Sequence, residues 1–362
     1  MHRRVAIVAL LACWVALLAV VVPTVFGADS SPTGRPATQR AVSDPLNRQN
    51  VSIAWGGDIT PGSSYGLPPG QGRALFEGVR SDIRSADLAL GNLEGTFSVG
   101  GASKCGVDGG NCFSFQAPPE NAAALAWAGF DALNLANNHA VDFGESGQSQ
   151  TVQALENNGL AHAGRPGQIT VLNRRGLRIA LVGFAPYPWA TDLRDLKAVT
   201  ALVRRARARA DLVLVLAHLG GEGTDQLHTP HGTEMAMGED RGDTRAFARA
   251  AVDAGADLVL GSGPHVLRGL ELYRGKLIAY SLGNFAGWHN FSTAGATSLS
   301  GLLTVRLSGT GQLRGGKLVP LRLSAEGAPS PETEGEVVTL INGLSQADFS
   351  GRGLRLLPDG SF

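Results

Sequence analysis

From residue 51 to residue 262 the chain repeats one pattern, in which a short apolar run is followed by a longer stretch of different periodicity. Apolar runs of six to eight residues predict buried β-strands, because a helix needs more residues to bury one face. The predicted strands are 51–57, 87–92, 131–136, 178–185, 211–217 and 257–262. The segments with helical periodicity are 119–129, 192–210 and 243–255, and each ends at or near Gly or Asp. This alternation predicts an α/β fold.

After Pro264 the pattern becomes richer in β-strands. Residues 270–282 predict a hairpin that turns at Arg274-Gly275, and a helix is predicted near 336–347. Further strands are predicted at 301–307 and 317–323. We expect a second, more antiparallel sheet that joins the first. With 362 residues, of which 43% are hydrophobic, the chain is long enough for one large domain or two small ones.

The N-terminus carries a targeting or anchoring segment. Positive residues in MHRR precede an uninterrupted apolar run from Val5 to Val22, which suits either a cleaved signal peptide or a signal anchor over 1–27. Residues 28–50 are rich in Ser, Pro, Thr and Arg, and predict a disordered linker. The positive end favours an extracytoplasmic protein, secreted or held at the membrane by this segment. Lys plus Arg and Asp plus Glu are both 31, a balance that argues against nucleic-acid binding.

Two cysteines lie beyond the N-terminal segment. Cys105 and Cys112 flank a Gly-rich loop that is able to turn back on itself. In an oxidising compartment this spacing predicts a local disulfide. A zinc pair is the alternative, but the chain offers no further cysteine outside the N-terminal segment and no nearby histidine, so the disulfide is favoured.

Polar residues follow the carboxyl ends of five predicted strands. They are Asp58, then Glu94 with Asn92 beside it, Asn138 with His139, His218, and His265. In open α/β sheets ligands bind at this edge, because the strand ends and the following loops form a crevice. Taken alone, Asp58 suits a turn or helix cap, Glu94 a solvated loop, and His265 a proline turn. Their recurrence at one structural position favours a site.

The residue types indicate the chemistry of that site. Carboxylate, amide and imidazole ligands without thiolate suit a divalent ion such as Mn, Fe, Zn or Mg. Two ions bridged by one carboxylate would clamp a phosphoryl group and generate hydroxide near neutral pH. A histidine outside the metal shell could then protonate the leaving oxygen. The pattern therefore predicts a cofactor of one or two divalent ions.

Six ordered motifs carry a family resemblance. They are GGDIT (56–60), GNLEG (91–95), NLANNHAVDFG (134–144), AHLGGE (217–222), GADLVLGSGPHV (255–266) and AYSLGNF (279–285). Together they resemble the CapA family of capsule or poly-γ-glutamate synthesis proteins (PgsA-like), which has a calcineurin-like metallophosphatase fold. The resemblance covers about residues 51–290. It implies a four-layer α/β/β/α sandwich over 51–325, with a tail at 326–362 that packs on this domain or extends it.

The resemblance also implies residue roles. His139 resembles the general acid of an Asn-His motif, and Asp142, three residues on, would orient its ring. The residues that resemble metal ligands are Asp58, Glu94 at the bridging position, Asn138, His218 and His265. Three further polar residues are predicted to contact the substrate, namely Asn92, Glu222 and Arg268, the last as a partner for an anion.

Two positions depart from the metallophosphatase pattern. Thr60 and Gly263 stand where an imidazole is usual. Each departure removes one ligand, roughly one from each ion's shell, so the second ion is expected to be weak or missing. This puts hydrolysis in doubt more than the fold.

Three functions fit these features. The first is an extracytoplasmic component of envelope polymer synthesis or export, with a metal cleft for an anionic polymer or a phosphorylated intermediate. The second is a secreted metal-dependent phosphoesterase. The third is a non-catalytic accessory that retains the cleft and acts as a scaffold in a membrane synthase complex. The missing imidazoles favour the first and third over the second.

Overall fold

The structure, a computed structural model, describes residues 49–63, 66–106 and 112–362. The predicted N-terminal segment 1–27, and residues 28–48 of the predicted linker, lie outside the described residues. No helix within the described ranges is both long enough and apolar enough to cross a membrane.

The described residues form alternating strands and helices. The strands are β1 Asn50–Thr60, β2 Leu88–Leu93, β3 Thr96–Phe97, β4 Gln116–Ala117, β5 Ala132–Asn134, β6 Ala161–Ala163, β7 Thr170–Arg174, β8 Leu177–Phe184, β9 Leu212–His218, β10 Glu234–Ala236, β11 Glu239–Gly242, β12 Leu258–Ser262, β13 Leu270–Tyr273, β14 Lys276–Ala279, β15 Asn284–Gly287, β16 Leu299–Ser308, β17 Leu313–Leu323 and β18 Pro329–Pro331. The α-helices are α1 Arg80–Arg84, α2 Ala122–Ala128, α3 Gly144–Asn157, α4 Leu196–Arg207, α5 Thr244–Ala254 and α6 Glu336–Phe349.

Most strands belong to two large sheets. The first has the order β18-β17-β16-β1-β2-β5-β6, with β15 also paired to β1. The second has the order β13-β14-β12-β9-β8-β7. Each sheet contains a run of parallel strands, β1-β2-β5-β6 at one side of the first and β8-β9-β12-β14 in the middle of the second. The predicted α/β alternation is therefore confirmed as a mixed fold with several sheets.

The period of two along each strand explains how both faces of the sheets are buried. On β9, Leu212, Leu214 and Leu216 belong to a core cluster that also holds Ile53, Trp55 and Leu90 of the first sheet. The intervening residues Val213, Val215 and Ala217 pack instead with α4 and α5. Trp55 crosses between the sheets and donates a hydrogen bond from Nε1 to the carbonyl of Gly261, at 3.1 Å.

The six predicted strands are all present, but the expectation that the first sheet holds all six and that the region after Pro264 forms the second sheet was wrong. Strands β1, β2 and β5 form one sheet, whereas β8, β9 and β12 form another. The later β-rich region does not build a sheet of its own either. The hairpin β13-β14 joins the second sheet through β12, and β16-β17 joins the first sheet beside β1. Sheet membership depends on pairing between strands remote in sequence, which local periodicity does not encode.

The C-terminal helix α6 packs on the core that the two sheets share. Val337 and Ile341 are buried in the same cluster as Trp55 and Leu303. The backbone N–H of Leu354 donates to the carbonyl of Leu270 at 2.9 Å, which fastens the chain after α6 to β13.

Candidate metal centre

Four of the predicted metal ligands lie at strand ends that come from both sheets. Asp58 is near the carboxyl end of β1, and Glu94 follows β2 by one residue. His218 ends β9, and His265 follows β12 by three residues. Asp58, Glu94 and His218 are fully buried, while His265 keeps 21% of its side chain exposed. The residues converge because the parallel strands of both sheets deliver their carboxyl ends to one region.

Asp58, Glu94 and His218 form a cluster that could hold a metal ion. Each offers one ligand atom, and these atoms all lie within 4.8 Å of one another. His218 Nε2 is 3.8 Å from Glu94 Oε1, and His265 Nε2 is 3.7 Å from the same oxygen. On the other side of the cluster, His265 Nδ1 lies 3.5 Å from Asp58 Oδ2. Carboxylate and imidazole atoms at this spacing suit a divalent cation.

Unpaired atoms in the cluster fit a cation. Both carboxylate oxygens of Glu94 and Nε2 of His218 lack a hydrogen-bond partner among the described residues. Burial raises the pKa of Glu94 well above its usual value, and the nearby carboxylate of Asp58 raises it further. A buried carboxyl group without a partner is costly, and a bound cation would supply the missing interactions.

The two imidazoles are in different electrostatic environments. Burial lowers the pKa of His218, which keeps the ring neutral and able to coordinate. Burial also lowers the pKa of His265, but the carboxylates of Glu94 and Asp58 outweigh this effect and raise it to about 9. His265 also has a left-handed backbone with φ of 60°. This conformation is uncommon for a residue other than glycine and is often found at functional sites.

Asn92 is a structural organiser of the cluster. Its Nδ2 donates to Asp58 Oδ1 at 2.8 Å and lies 3.3 Å from His218 Nδ1. Its Oδ1 accepts hydrogen bonds from Asn134 at 2.9 Å and from Asn137 at 3.2 Å. The side chain is fully buried, and its observed contacts are to ligand residues and to two neighbouring asparagines, so the predicted contact with substrate stays a prediction.

His139 and Asp142 lie together beside the cluster. His139 Nδ1 is 2.8 Å from Asp142 Oδ2, as the predicted orienting role requires. Asp142 also accepts a hydrogen bond from the backbone of Phe115 at 2.6 Å and pairs with Lys104 Nζ at 2.7 Å. Burial lowers the pKa of His139, an effect that the contact with Asp142 opposes. The Nδ1 side of the ring is thereby occupied, and the ring lines an open cleft.

The cleft has a volume of about 740 Å³. Its walls include four predicted site residues, namely Asn138, His139, Glu222 and His265. Asn138 Oδ1 is buried and lacks a hydrogen-bond partner among the described residues, which suits an amide ligand. Glu222 Oε1 lies 3.9 Å from His218 Nε2, which brings this carboxylate next to the candidate ligands.

Arg268 is not among the residues that line the cleft. It is fully buried and pairs with Glu234, at 2.6 Å between Nη2 and Oε2. Its Nε and Nη2 also donate to the backbone carbonyls of Gln226 and Gly221, at 2.9 and 3.3 Å. Arg268 thus holds the loop after β9, and the predicted contact with a substrate anion gains no support from these bonds.

The two departures from the metallophosphatase pattern have local structural partners. Thr60 Oγ1 accepts a hydrogen bond from Asn290 Nδ2 at 3.0 Å. The backbone N–H of Gly263 donates to Asp58 Oδ2 at 3.1 Å, with φ of 110°. A Cβ atom at residue 263 would lie 2.9 Å from the carbonyl oxygen of Leu219, so this backbone does not accommodate a side chain.

The predicted disulfide is confirmed, because Cys105 and Cys112 are bonded. Lys104, the residue before Cys105, contacts the carbonyl of Asn138 at 3.0 Å and His139 Nδ1 at 3.3 Å. The bonded loop therefore brings a lysine to the site.

Three residues of the site were not predicted from the sequence. Asn284 Oδ1 accepts a hydrogen bond from His265 Nδ1 at 2.7 Å, and Asn284 lies within the AYSLGNF motif, which was its only signal. Lys104 and Arg241 also line the cleft, but their surroundings in sequence carry no pattern that predicts this. Lys104 lies in a connecting segment and Arg241 on the small hairpin β10-β11, and the positions of both depend on tertiary packing.

These features define a mixed α/β protein with a buried Asp/Glu/His cluster that could bind a metal ion. The family model described as bacterial capsule synthesis protein matches residues 52–287. The chain belongs to this family, as the motifs predicted.

Two named relatives come from bacilli. The capsule biosynthesis protein CapA of Bacillus anthracis is 30% identical over 284 residues, which cover 72% of this chain and 63% of the relative. The PGA biosynthesis protein CapA of Bacillus subtilis (strain 168) is 30% identical over 260 residues, which cover 66% and 64%. The chain thus spans slightly less than two thirds of each relative. Among solved structures, the NAD nucleotidase of Haemophilus influenzae is similar with a TM-score of 0.41 and 14% identity, covering 83% of this chain and 56% of that one.

Proposed function

We propose that this chain is an extracytoplasmic component in the synthesis or export of a capsule or poly-γ-glutamate type envelope polymer, and that its cleft binds a divalent cation. One observation is the main support for the cation: the two oxygens of the buried Glu94 carboxylate have no hydrogen-bond partner in the part of the chain that the structure describes, and one of them lies within 3.8 Å of both His218 and His265. The names of the two Bacillus relatives, a capsule biosynthesis protein and a PGA biosynthesis protein, support the role in polymer synthesis.

Asp58, Glu94 and His218 would hold the ion, with Asn138 and His265 as the next candidates. A divalent cation would polarise a carboxyl or phosphoryl oxygen of a bound ligand. The oxygen and nitrogen ligands suit Mn, Fe, Zn or Mg. A single ion is favoured, because Thr60 and Gly263 supply no imidazole.

His139 is proposed to exchange a proton with the ligand. Its Nδ1 is held by Asp142, which fixes the orientation of the ring towards the cleft. Nε2 is then the nitrogen available to a bound oxygen.

The location outside the cytoplasm is part of the proposal. The Cys105–Cys112 disulfide supports it, because disulfides persist in oxidising compartments. The apolar run near the N-terminus, Val5 to Val22, would serve as signal or anchor. We further propose the four-layer α/β/β/α arrangement of metallophosphatases, which the core shared by both sheets supports, and association with a membrane synthase complex.

A non-catalytic accessory role is the second candidate. The Gly263 backbone leaves no room for an imidazole, and Thr60 is engaged with Asn290. A site with fewer imidazoles favours binding of a ligand over its hydrolysis. Gly263 and Thr60 therefore disfavour the function of a general secreted phosphoesterase.

The test is complementation in the native host. Deletion of the gene is expected to abolish surface polymer, and the wild-type gene to restore it. A Glu94→Gln gene should fail to restore polymer, whereas Glu77→Gln, which changes an exposed glutamate outside the cluster, should succeed. Unchanged surface polymer after deletion would contradict the polymer role.

The variants also separate the candidates, provided that immunoblots show equal protein levels. Restoration by His139→Ala together with failure of Glu94→Gln would favour the accessory role over catalysis. Restoration by Glu94→Gln would contradict a role for the metal cluster. Broad phosphodiesterase activity of the purified protein with Mn²⁺ would favour the phosphoesterase.

A further inference from the structure

Arg241 is a buried arginine on the wall of the cleft. It lies on β11, in a small hairpin with β10 that is separate from both large sheets. Only 1% of its surface is exposed. A guanidinium group buried to this degree normally has all its N–H groups paired, because each unpaired one is costly.

Two nitrogens of Arg241 lack that pairing. Nη2 contacts Glu222 Oε1 at 2.7 Å and Glu239 Oε2 at 3.2 Å, but Nε and Nη1 have no hydrogen-bond partner among the described residues. Arg268, equally buried, differs, since its Nε, Nη1 and Nη2 all donate to protein oxygens. Arg241 therefore has hydrogen-bond donors that no described residue uses, whereas all three nitrogens of Arg268 are paired.

We propose that Arg241 binds an oxyanion, the carboxylate or phosphate group of a ligand held beside the metal cluster, an assignment that rests on the proposed function. The guanidinium presents several donors in one plane, which suits both groups. Glu222 links the two places, because its Oε1 lies 2.7 Å from Arg241 Nη2 and 3.9 Å from His218 Nε2. A ligand at Arg241 would thus be within one side chain of the cluster.

The rim of the cleft indicates what carries the oxyanion. Phe113 and Met237 line it with 49% and 78% of their surfaces exposed. Trp189 also lines it and stacks on Tyr187, with ring centroids 5.1 Å apart and planes at 5°. Exposed apolar side chains around a charged interior fit a ligand with an anionic group on an apolar or methylene-rich chain.

A merely structural arginine would neutralise Glu222 and Glu239 and nothing else, and the experiment separates the two roles. Full-length protein is titrated by calorimetry first with Mn²⁺, then with inorganic phosphate or glutarate as probes. The variants are Arg241→Met and Arg241→Lys. Arg249→Lys is the matched control, because Arg249 pairs with the buried Glu271 at 2.8 Å and does not line the cleft.

Arg241→Met is expected to weaken binding of at least one probe by about tenfold or more, the effect of losing hydrogen bonds to a charged group. Arg241→Lys should lie between it and the wild type, and Arg249→Lys should match the wild type. A loss confined to phosphate or to glutarate identifies the ligand group. Mn²⁺ affinity should change little, since Arg241 is not a ligand.

Three results would overturn the assignment. They are equal binding of both probes by wild type and Arg241→Met, no binding of either probe by the wild type, and parallel loss of Mn²⁺ and probe, which would mean that Arg241 acts through Glu222. If Arg241→Met does not fold, Arg241→Lys decides by the same criteria. A wild type that binds no Mn²⁺ contradicts the proposed function instead, and the probes titrated without metal still test Arg241.

Discussion

Glu94 Oε1 lies 3.8 Å from His218 Nε2, and neither atom has a hydrogen-bond partner among the described residues. Two ligands bound at about 2.1 Å to one ion would be roughly 3 to 3.5 Å apart. The observed separation therefore needs only a small adjustment to admit a cation. The two residues come from different sheets, so an ion at this point would also join the sheets.

Loss of the Glu94 charge should abolish this binding. Loss of an outer contact of a metal site lowers metal affinity by roughly 10- to 100-fold. We expect Glu94→Gln to lower the affinity by more than this, because Glu94 is a candidate ligand. Elemental analysis of the purified full-length protein after dialysis against Mn²⁺ would measure it, with Glu77→Gln as a control that retains wild-type content. Stoichiometry near one would fit a single ion. A wild type without metal would contradict the cluster.

Asn92 should act on the metal without binding it. It holds both Asp58 and His218, through contacts of 2.8 and 3.3 Å. Asn92→Ala is expected to weaken Mn²⁺ binding by roughly 10- to 100-fold while leaving the stoichiometry unchanged. Calorimetric titration would give both quantities. An unchanged affinity would mean that the network around Asn92 serves only the fold.

Gly263 should resist substitution more than a glycine with the same sign of φ and free space. A Cβ at Gly263 meets the carbonyl oxygen of Leu219 at 2.9 Å, whereas one at Gly275, with φ of 75°, meets no described atom within 4 Å. Gly275→Ala is expected to cost about 1 kcal/mol from backbone strain alone. Gly263→Ala should cost clearly more, in urea denaturation followed by circular dichroism. Equal losses would show that the backbone relaxes around residue 263.

Acid stability should depend on Glu271. Burial raises the pKa of this carboxyl group, but hydrogen bonds from Arg249 and Tyr280 outweigh burial and lower it below the usual value. A lowered folded-state pKa stabilises the protein above the unfolded-state pKa, near 4.5, and this stability is lost as the pH falls through the folded value. Glu271→Gln should therefore lower the free energy of unfolding more at pH 7 than at pH 3.

Urea denaturation at the two pH values would measure that difference. Glu77→Gln, at an exposed position, serves as the control and should show little dependence. A Glu271→Gln variant whose loss is the same at both pH values would contradict the stabilisation of the charged form.

Removal of the Cys105–Cys112 disulfide should lower the stability of the protein. The Cys105–Cys112 bond closes a short loop, with a sequence separation of 7, for which chain entropy predicts about 2 kcal/mol of stabilisation. The double variant Cys105→Ser/Cys112→Ser should be less stable by up to about this amount. Denaturation with and without reductant would test it, because reductant should affect the wild type and leave the variant unchanged.

Local sequence was sufficient for the longer apolar strands and for the identity of the cluster residues, but it did not predict short strands such as β3 and β10 or the helix α3. The run 211-DLVLVLA-217 predicts a buried strand, and every residue of β9 is buried. Asp58, Glu94 and His218 were recognised because each stands at or just after the end of an apolar run, where a polar side chain is unusual. Period and position along the chain are local properties, so a single sequence reveals them.

Tertiary structure alone decided which strands share a sheet and which arginine side chains line the cleft. Asp58 and His218 belong to different sheets, although the alternation suggested one. Arg268 was expected at the ligand and is held by Glu234, while Arg241, from a small hairpin, lines the cleft and has two nitrogens without a hydrogen-bond partner in the described part of the chain. The physical reason is that an arginine's role depends on which remote carboxylates and carbonyls satisfy its donors, and packing settles that only once the whole chain has folded.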